Sequence, residues 1–85
     1  MQKQKPVKMY TLSTCSHCAA AKRFLDESGV DYDFTDVDLL GSLEKAAALE
    51  EMKKYNPGCT FPTLVIGDRV IIGNRQDEIK EALGL

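Results

Sequence analysis

The chain has 85 residues, enough for one hydrophobic core but not for separate cofactor and substrate domains. Hydrophobic residues make up 44% of it and charged residues 28%, a balance typical of a folded domain and not of a disordered tail. With 11 basic and 13 acidic residues the net charge is -2, which argues against a nucleic-acid-binding module. We therefore expect a single domain over residues 1–85, in which residues 1–6 form a flexible segment.

The first half of the chain predicts a strand–helix–strand unit. Alternating residues predict a strand over residues 7–12, and an apolar face at helical spacing predicts a helix over residues 15–27. Ser13 and Thr14 offer hydroxyls that could cap this helix. Residues 30–37 predict the second strand, which such a unit places parallel to the first through a right-handed crossover.

The second half predicts a helix, a hairpin and a final helix. The first of these begins near Gly41, and its expected apolar side comprises Leu43, Ala46, Ala47, Leu49, Met52 and Tyr55. Residues 63–66 and 69–72 predict two strands joined by a tight turn, and Asn74 is expected to cap the final helix. The order β-α-β-α-β-β-α predicts an α/β fold, with a four-stranded mixed sheet and helices on both faces.

The apolar runs and the number of cysteines indicate the compartment in which the protein is expected. No apolar run exceeds four residues, so the sequence predicts neither a membrane-spanning helix nor a signal peptide. We therefore expect a cytoplasmic protein, in a compartment where thiols stay reduced. Its three cysteines are too few, and odd in number, for a disulfide framework, so they need a different explanation.

Two of the cysteines, Cys15 and Cys18, lie where the first predicted strand passes into the first helix. A disulfide between them would close so short a loop that it would stabilise the fold by only about 2 kcal/mol. The start of a helix also presents unpaired N–H groups and the positive end of the helix dipole, which both favour a thiolate. We interpret the pair as redox-active, with Cys15 as the exposed nucleophile and Cys18 as the more buried resolving thiol.

Three other candidate functional residues each allow more than one interpretation. His17, the only histidine, either helps to stabilise the Cys15 thiolate or is an exposed residue without a chemical role. Cys59 is either a second reactive thiol or metal ligand or, as we favour, a small buried hydrophobic residue. For Pro62, sequence statistics alone favour an ordinary trans peptide bond.

These residues resemble the glutaredoxins. The resemblance covers about residues 7–83 and rests on three motifs: Cys15-Ser16-His17-Cys18 after the first strand, Thr60-Phe61-Pro62 before the hairpin, and Gly73 before the final helix. It implies a minimal thioredoxin-like fold in which Pro62 is cis and faces the cysteine pair. It also implies that Thr60 and Phe61 offer backbone groups to a substrate in an extended, strand-like pairing.

Departures from the family pattern bear on the electron donor. Ser16 and His17 replace the usual Pro and Tyr, and residues 11–14 lack the basic residue that glutathione-binding members often carry there. The stretch Gly73-Asn74-Arg75-Gln76-Asp77 is more similar to the NrdH-type redoxins, which take electrons from thioredoxin reductase. The resemblance thus implies thioredoxin reductase or glutathione as donor, and we expect thioredoxin reductase to be the faster one.

The cysteine pair and the resemblance together predict a small dithiol–disulfide oxidoreductase, an electron carrier in cell redox homeostasis. Its catalytic residues would be Cys15 and Cys18, and its substrate-binding residues His17, Thr60, Phe61, Pro62, Gly73, Asn74, Arg75 and Asp77. We expect it to act as a monomer on protein or glutathione mixed disulfides, without a cofactor or metal. We expect it to bind neither nucleic acid nor membranes.

One alternative belongs to a different class, a metal-binding or iron–sulfur module. Its ligands would be Cys15, Cys18 and Cys59, with His17 as a further candidate or with thiolates shared across a dimer. This alternative is less favoured because it uses every soft ligand that the chain has.

Overall fold

The structure, a computed structural model, describes residues 5–85. Over that range it contains four strands, three α-helices and one short 3-10 helix. The strands are β1 (Val7–Thr11), β2 (Asp33–Asp36), β3 (Thr63–Ile66) and β4 (Arg69–Ile72). The α-helices are α1 (Ser16–Glu27), α2 (Ser42–Lys53) and α3 (Gln76–Leu83), and the 3-10 helix, Val37–Leu39, directly follows β2. No helix of residues 5–85 has the length and apolar character needed to cross a bilayer.

The expected flexible segment, residues 1–6, falls mostly outside this range, because residues 1–4 are not among those described. Pro6 is described, and its carbonyl accepts a hydrogen bond from the Gly67 N–H at 2.9 Å. Gly67 has a φ of +61°, as the first position of a tight hairpin turn requires.

The strand pairings confirm the predicted mixed sheet. Its order is β2-β1-β3-β4, with β1 parallel to β2 and antiparallel to β3, and with β3 antiparallel to β4. Tyr10 pairs with Thr63, and Thr63 in turn pairs with Ile72. On the other side of β1, Thr11 pairs with Asp36. The end of β1, the end of β2, the start of β3 and the end of β4 therefore meet at one end of the sheet, which we call the site end.

Different helices cover the two faces of the sheet, as predicted. On one face α1 and α3 enclose a core formed by Val7, Met9, Ala21, Leu25, Val30, Leu64, Ile66, Ile71, Ile79 and Ala82. On the other face Glu51 of α2 accepts hydrogen bonds from the Tyr10 hydroxyl and the Lys8 ammonium. These two bonds hold the pKa of the Glu51 carboxyl below its usual range, whereas burial, and then the bond to Glu51, raises the pKa of Tyr10.

The predicted apolar side of α2 is largely wrong. Leu43 is 88% exposed and Ala46 and Ala47 are also exposed, while Met52 is buried. The physical reason is that α2 approaches the sheet through its last turn, where Glu51 and Met52 lie, and its first turns face solvent.

The second strand is shorter than the predicted range of residues 30–37. Val30 lies just after α1 and is bonded to the end of that helix, since its N–H donates to the Leu25 carbonyl at 3.0 Å. Gly29, with a φ of +69°, makes this helix end possible. At the other end of β2, Val37 already begins the 3-10 helix.

Candidate redox site

Cys15 occupies the N-cap position of α1. Its backbone is extended, with φ −86° and ψ 118°, and its Sγ accepts a hydrogen bond from the Cys18 N–H at 3.2 Å. The prediction that Ser13 or Thr14 caps this helix is therefore wrong, because the thiol itself takes that position. A backbone N–H and the positive end of the helix dipole both point at the Cys15 sulfur, and both favour negative charge there.

Cys18 lies one turn further along the helix, in a very different environment. It is 1% exposed, whereas Cys15 is partly exposed. Burial, followed by the hydrogen bond with Cys15, raises the pKa of the Cys18 thiol to about 12, against the opposing influence of the Leu12 backbone and Lys22. The two thiols are thus chemically unequal although only two residues separate them.

Two carboxylates, Asp36 at the end of β2 and Asp38 in the 3-10 helix that follows, hold the end of β1 and the loop before α1. Asp38 accepts hydrogen bonds from the Ser13 N–H, at 2.8 Å, and from the Ser13 hydroxyl, and these bonds lower the pKa of the Asp38 carboxyl. Asp36 accepts a hydrogen bond from the Thr11 hydroxyl at 2.6 Å. The sequence analysis missed both residues, because neither follows a local motif and only the parallel pairing of β1 with β2 brings them to the loop.

The Phe61–Pro62 peptide bond is cis, as the resemblance implies. Pro62 is fully buried, and it directly precedes Thr63, the partner of Tyr10, so it lies at the site end alongside the end of β1. Among the hydrogen bonds of residues 5–85, none involves the backbone N–H or C=O of Phe61. This backbone therefore offers a free, strand-like edge next to the loop that carries Cys15.

The Thr60 carbonyl, one of the backbone groups that the resemblance offers to a substrate, already accepts hydrogen bonds within the protein. The buried Asn56 amide donates to the Thr60 carbonyl at 3.3 Å and to the hydroxyls of Thr60 and Thr63 at 2.9 Å each. The Thr63 hydroxyl also donates to the Thr60 carbonyl, at 2.8 Å. No local sequence motif indicates this role of Asn56 in holding the segment before Pro62.

The segment after β4 reaches the same end of the sheet. The N–H of Gly73, whose φ is +93°, donates to the Pro62 carbonyl at 2.8 Å. The prediction that Asn74 caps α3 is wrong: Arg75 occupies the N-cap without a side-chain cap, and the buried Asn74 Oδ1 makes no hydrogen bond with residues 5–85. Arg75 forms an ion pair with Glu78 at 3.3 Å, and Asp77 is exposed in the first helical turn.

The remaining candidates do not join into one cluster. His17 is exposed on the first turn of α1, and Cys59 is half-buried with an unusual φ of +50°. Within residues 5–85, no three His, Cys, Asp or Glu side chains lie close enough together to hold a metal ion. The ligand set of the metal-binding alternative, with Cys59 beside Cys15 and Cys18, is therefore not assembled within one described chain.

A mixed four-stranded sheet, a Cys-x-x-Cys pair at the start of α1 and a cis-proline at the same end of the sheet together define the class of the protein. These features support a thiol–disulfide oxidoreductase of the thioredoxin-like fold. Residues 7–71 match the Glutaredoxin family. The chain belongs to the glutaredoxin family.

Solved structures agree with this assignment. The chain is 35% identical to methanoredoxin from Methanosarcina acetivorans, with a TM-score of 0.91 over 99% of this chain and 97% of that one. It is 43% identical to a glutaredoxin from Methanosarcina mazei Go1, with a TM-score of 0.87 over 95% of this chain and 80% of that one. NrdH-redoxin from Escherichia coli is also similar, with 26% identity and a TM-score of 0.68 over 89% of this chain and 92% of that one.

One curated relative is a much longer protein. The chain is 39% identical over 62 residues to tetrachloro-p-hydroquinone reductive dehalogenase from Sphingobium chlorophenolicum. This match covers 73% of the chain but only 23% of the dehalogenase, so the chain spans less than a quarter of that relative's length.

The role assigned to Asn56 can be tested by its removal. We expect Asn56→Ala to lower the free energy of unfolding by about 2 kcal/mol, because the buried Thr63 hydroxyl and the oxygen atoms of Thr60 lose their donor. Urea unfolding measures this change. Asn74→Ala is the matched control, since its Oδ1 has no partner to lose. Equal losses in the two variants would show that Asn56 does not hold the segment before Pro62.

Proposed function

We propose that the protein reduces disulfide bonds by dithiol exchange, with Cys15 as the nucleophile and Cys18 as the resolving thiol. The observation that carries the proposal is the inequality of the two thiols. Cys15 is partly exposed at a helix start, while Cys18 is 1% exposed and has a pKa of about 12. Only Cys15 is placed to meet a substrate from solvent.

In the first step the Cys15 thiolate attacks one sulfur of the substrate disulfide. A new bond forms between the Cys15 sulfur and that substrate sulfur, the substrate disulfide breaks, and its second sulfur leaves as a thiolate that takes a proton from solvent. The free backbone of Phe61 would align the substrate as an extended strand across the site. The exposed residues His17, Arg75 and Asp77 are the side chains that we propose to contact the substrate.

In the second step Cys18 attacks the Cys15 sulfur of the mixed disulfide. The Cys15–Cys18 bond forms, the substrate leaves as a thiolate, and the two electrons of the dithiol have then reduced one disulfide to two thiols. Two of the influences that raise the Cys18 pKa, the hydrogen bond and the charge of Cys15, are lost once Cys15 is bonded. The Leu12 backbone and Lys22 remain and favour the Cys18 thiolate. Cys18 therefore becomes more reactive only after the first step.

The exchange itself requires no bound cofactor, and it suits a reducing compartment, so we propose a cytoplasmic location. We propose a flavoenzyme of the thioredoxin reductase type as the electron donor. No basic residue lies in the loop before Cys15, and the guanidinium of Arg75 is already paired with Glu78. An anionic donor such as glutathione thus meets little uncompensated positive charge. The similar NrdH-redoxin, described as having a thioredoxin-like activity profile, supports the same choice.

The two cysteines should fail in different ways when each is replaced. Cys15→Ser should abolish disulfide reduction, because the first attack is lost. Cys18→Ser should accumulate a mixed disulfide through Cys15, because attack survives and resolution does not. Mass spectrometry of the protein after incubation with an oxidised protein substrate detects this adduct. Cys59→Ser is the matched control and should behave as the unmodified protein. An adduct that accumulates in Cys15→Ser through Cys18 would reverse the assigned roles.

The donor is tested by steady-state turnover with the two reducing systems in parallel. We expect thioredoxin reductase with NADPH to reduce the Cys15–Cys18 disulfide faster than millimolar glutathione, because each missing charge-assisted contact weakens glutathione binding by roughly tenfold or more. Following NADPH consumption gives both rates. Saturable, efficient turnover with glutathione alone would contradict this choice of donor.

A further inference from the structure

Lys22, which lies one turn after Cys18 on α1, forms an ion pair with Asp36 of β2. The Lys22 ammonium lies 3.1 Å from an Asp36 carboxylate oxygen, and their side chains are only 22% and 16% exposed. In the ion pairs Lys8–Glu51, Glu50–Lys53, Arg69–Glu81 and Arg75–Glu78, by contrast, both side chains are at least 39% exposed. A pair withdrawn from water in this way contributes little net stability, because desolvation offsets the attraction of the charges.

The geometry holds the ammonium in one place. Lys22 is four residues after Cys18 on α1, so the two side chains lie on the same side of the helix. Its Nζ is 4.0 Å from the centre of the Phe34 ring. The Asp36 oxygen that it contacts also accepts the 2.6 Å hydrogen bond from the Thr11 hydroxyl. Residues of α1, β1 and β2 therefore combine to fix one positive charge on the side of the helix that carries Cys18.

We propose that Lys22 is a positioning residue for the resolving step, in which its ammonium, fixed by Asp36 and Phe34, stabilises the Cys18 thiolate that attacks the mixed disulfide. This inference rests on the proposed function, since it needs Cys18 to be the resolving thiol. The ammonium acts through Cys18 and touches no substrate atom.

Few other charges face these groups. Cys15 faces Cys18 from the N-cap, and it becomes uncharged once it is part of the mixed disulfide. From the β1–α1 loop, the Leu12 backbone faces Cys18 and favours its thiolate. Asp36 of β2 faces Lys22, and the Tyr32 hydroxyl lies against the Lys22 carbonyl while bonded to Asp26. Because burial and Asp26 raise the pKa of Tyr32, it stays uncharged near neutral pH, which leaves Lys22 as the cation that acts on Cys18.

The experiment separates the two steps with a neutral disulfide, 2,2′-dithiodipyridine, added to reduced protein in a Cys59→Ser background. Attack by Cys15 releases one pyridinethione at a rate that depends on probe concentration. Attack by Cys18 on the Cys15 sulfur then releases a second pyridinethione, at a rate that is independent of probe concentration. Stopped-flow absorbance records both phases as a function of pH. The variants are Lys22→Met, Lys22→Arg and the double variant Lys22→Met/Asp36→Asn, with Arg23→Gln as a matched control that removes an exposed charge from the same helix.

We expect Lys22→Met to change the rate of the first phase by no more than about twofold. The rate of the second phase should fall roughly three- to tenfold at pH 7, because the Cys18 thiolate loses a nearby cation. The pH midpoint of the second phase should rise by about half to one unit, since a lost positive charge raises the pKa of a thiol. Lys22→Arg should restore most of the rate, and Arg23→Gln should change neither phase. The double variant leaves no unpaired carboxylate, so its second phase should be slower than in the parent protein, but by no more than in Lys22→Met.

Two results would overturn the proposal, and they differ from each other. A second phase with the same rate and pH midpoint in Lys22→Met as in Arg23→Gln would remove Lys22 from the mechanism while leaving the roles of the cysteines intact. A parent protein without a concentration-independent second phase would instead contradict the proposed function itself. If Lys22→Met does not fold, the double variant decides by the same criteria.

Discussion

The hydrogen bond from the Cys18 N–H to the Cys15 Sγ is the interaction on which the candidate site depends. It makes a thiol the cap of α1, and so it places the Cys15 sulfur at the positive end of a helix. The same geometry sends Cys18 into the interior, where burial raises its pKa to about 12. One local arrangement thus produces both an accessible sulfur and a protected one, and an ordered two-step exchange needs this difference.

The sheet provides the setting for that arrangement. Because β1 is antiparallel to β3 and parallel to β2, the loop before Cys15, the segment before Pro62 and the carboxylates after β2 all reach the site end. Asp38 then fixes the loop through Ser13, and Asn56 fixes the segment before Pro62. Between these anchored parts the Phe61 backbone makes no hydrogen bond with residues 5–85, which leaves it open to the strand-like pairing that we propose for a substrate.

The sequence was most informative where signals are local. The strand–turn–strand pattern over residues 63–72 predicted β3 and β4 with their observed bounds, and the spacing of Cys15 and Cys18 located the centre of the site. It was least informative where distant residues decide the outcome. Ser13 donates its hydrogen bonds to Asp38, which is distant in sequence, and does not cap α1. Leu43 is exposed because of the way α2 meets the sheet, which helical periodicity does not encode. The cis form of Pro62 came from the resemblance alone, against its sequence statistics.

Alkylation followed residue by residue can measure the inequality of Cys15 and Cys18. Reduced protein is treated with iodoacetamide at pH 8, and peptide mass spectrometry gives the rate of modification at each cysteine. Burial raises the pKa of the Cys18 thiol well above pH 8, so little of it is thiolate at that pH, and its side chain is also shielded from the reagent. We expect rapid modification of Cys15 and none of Cys18 until the protein is unfolded in denaturant. Similar rates at the two cysteines in the folded protein would contradict it.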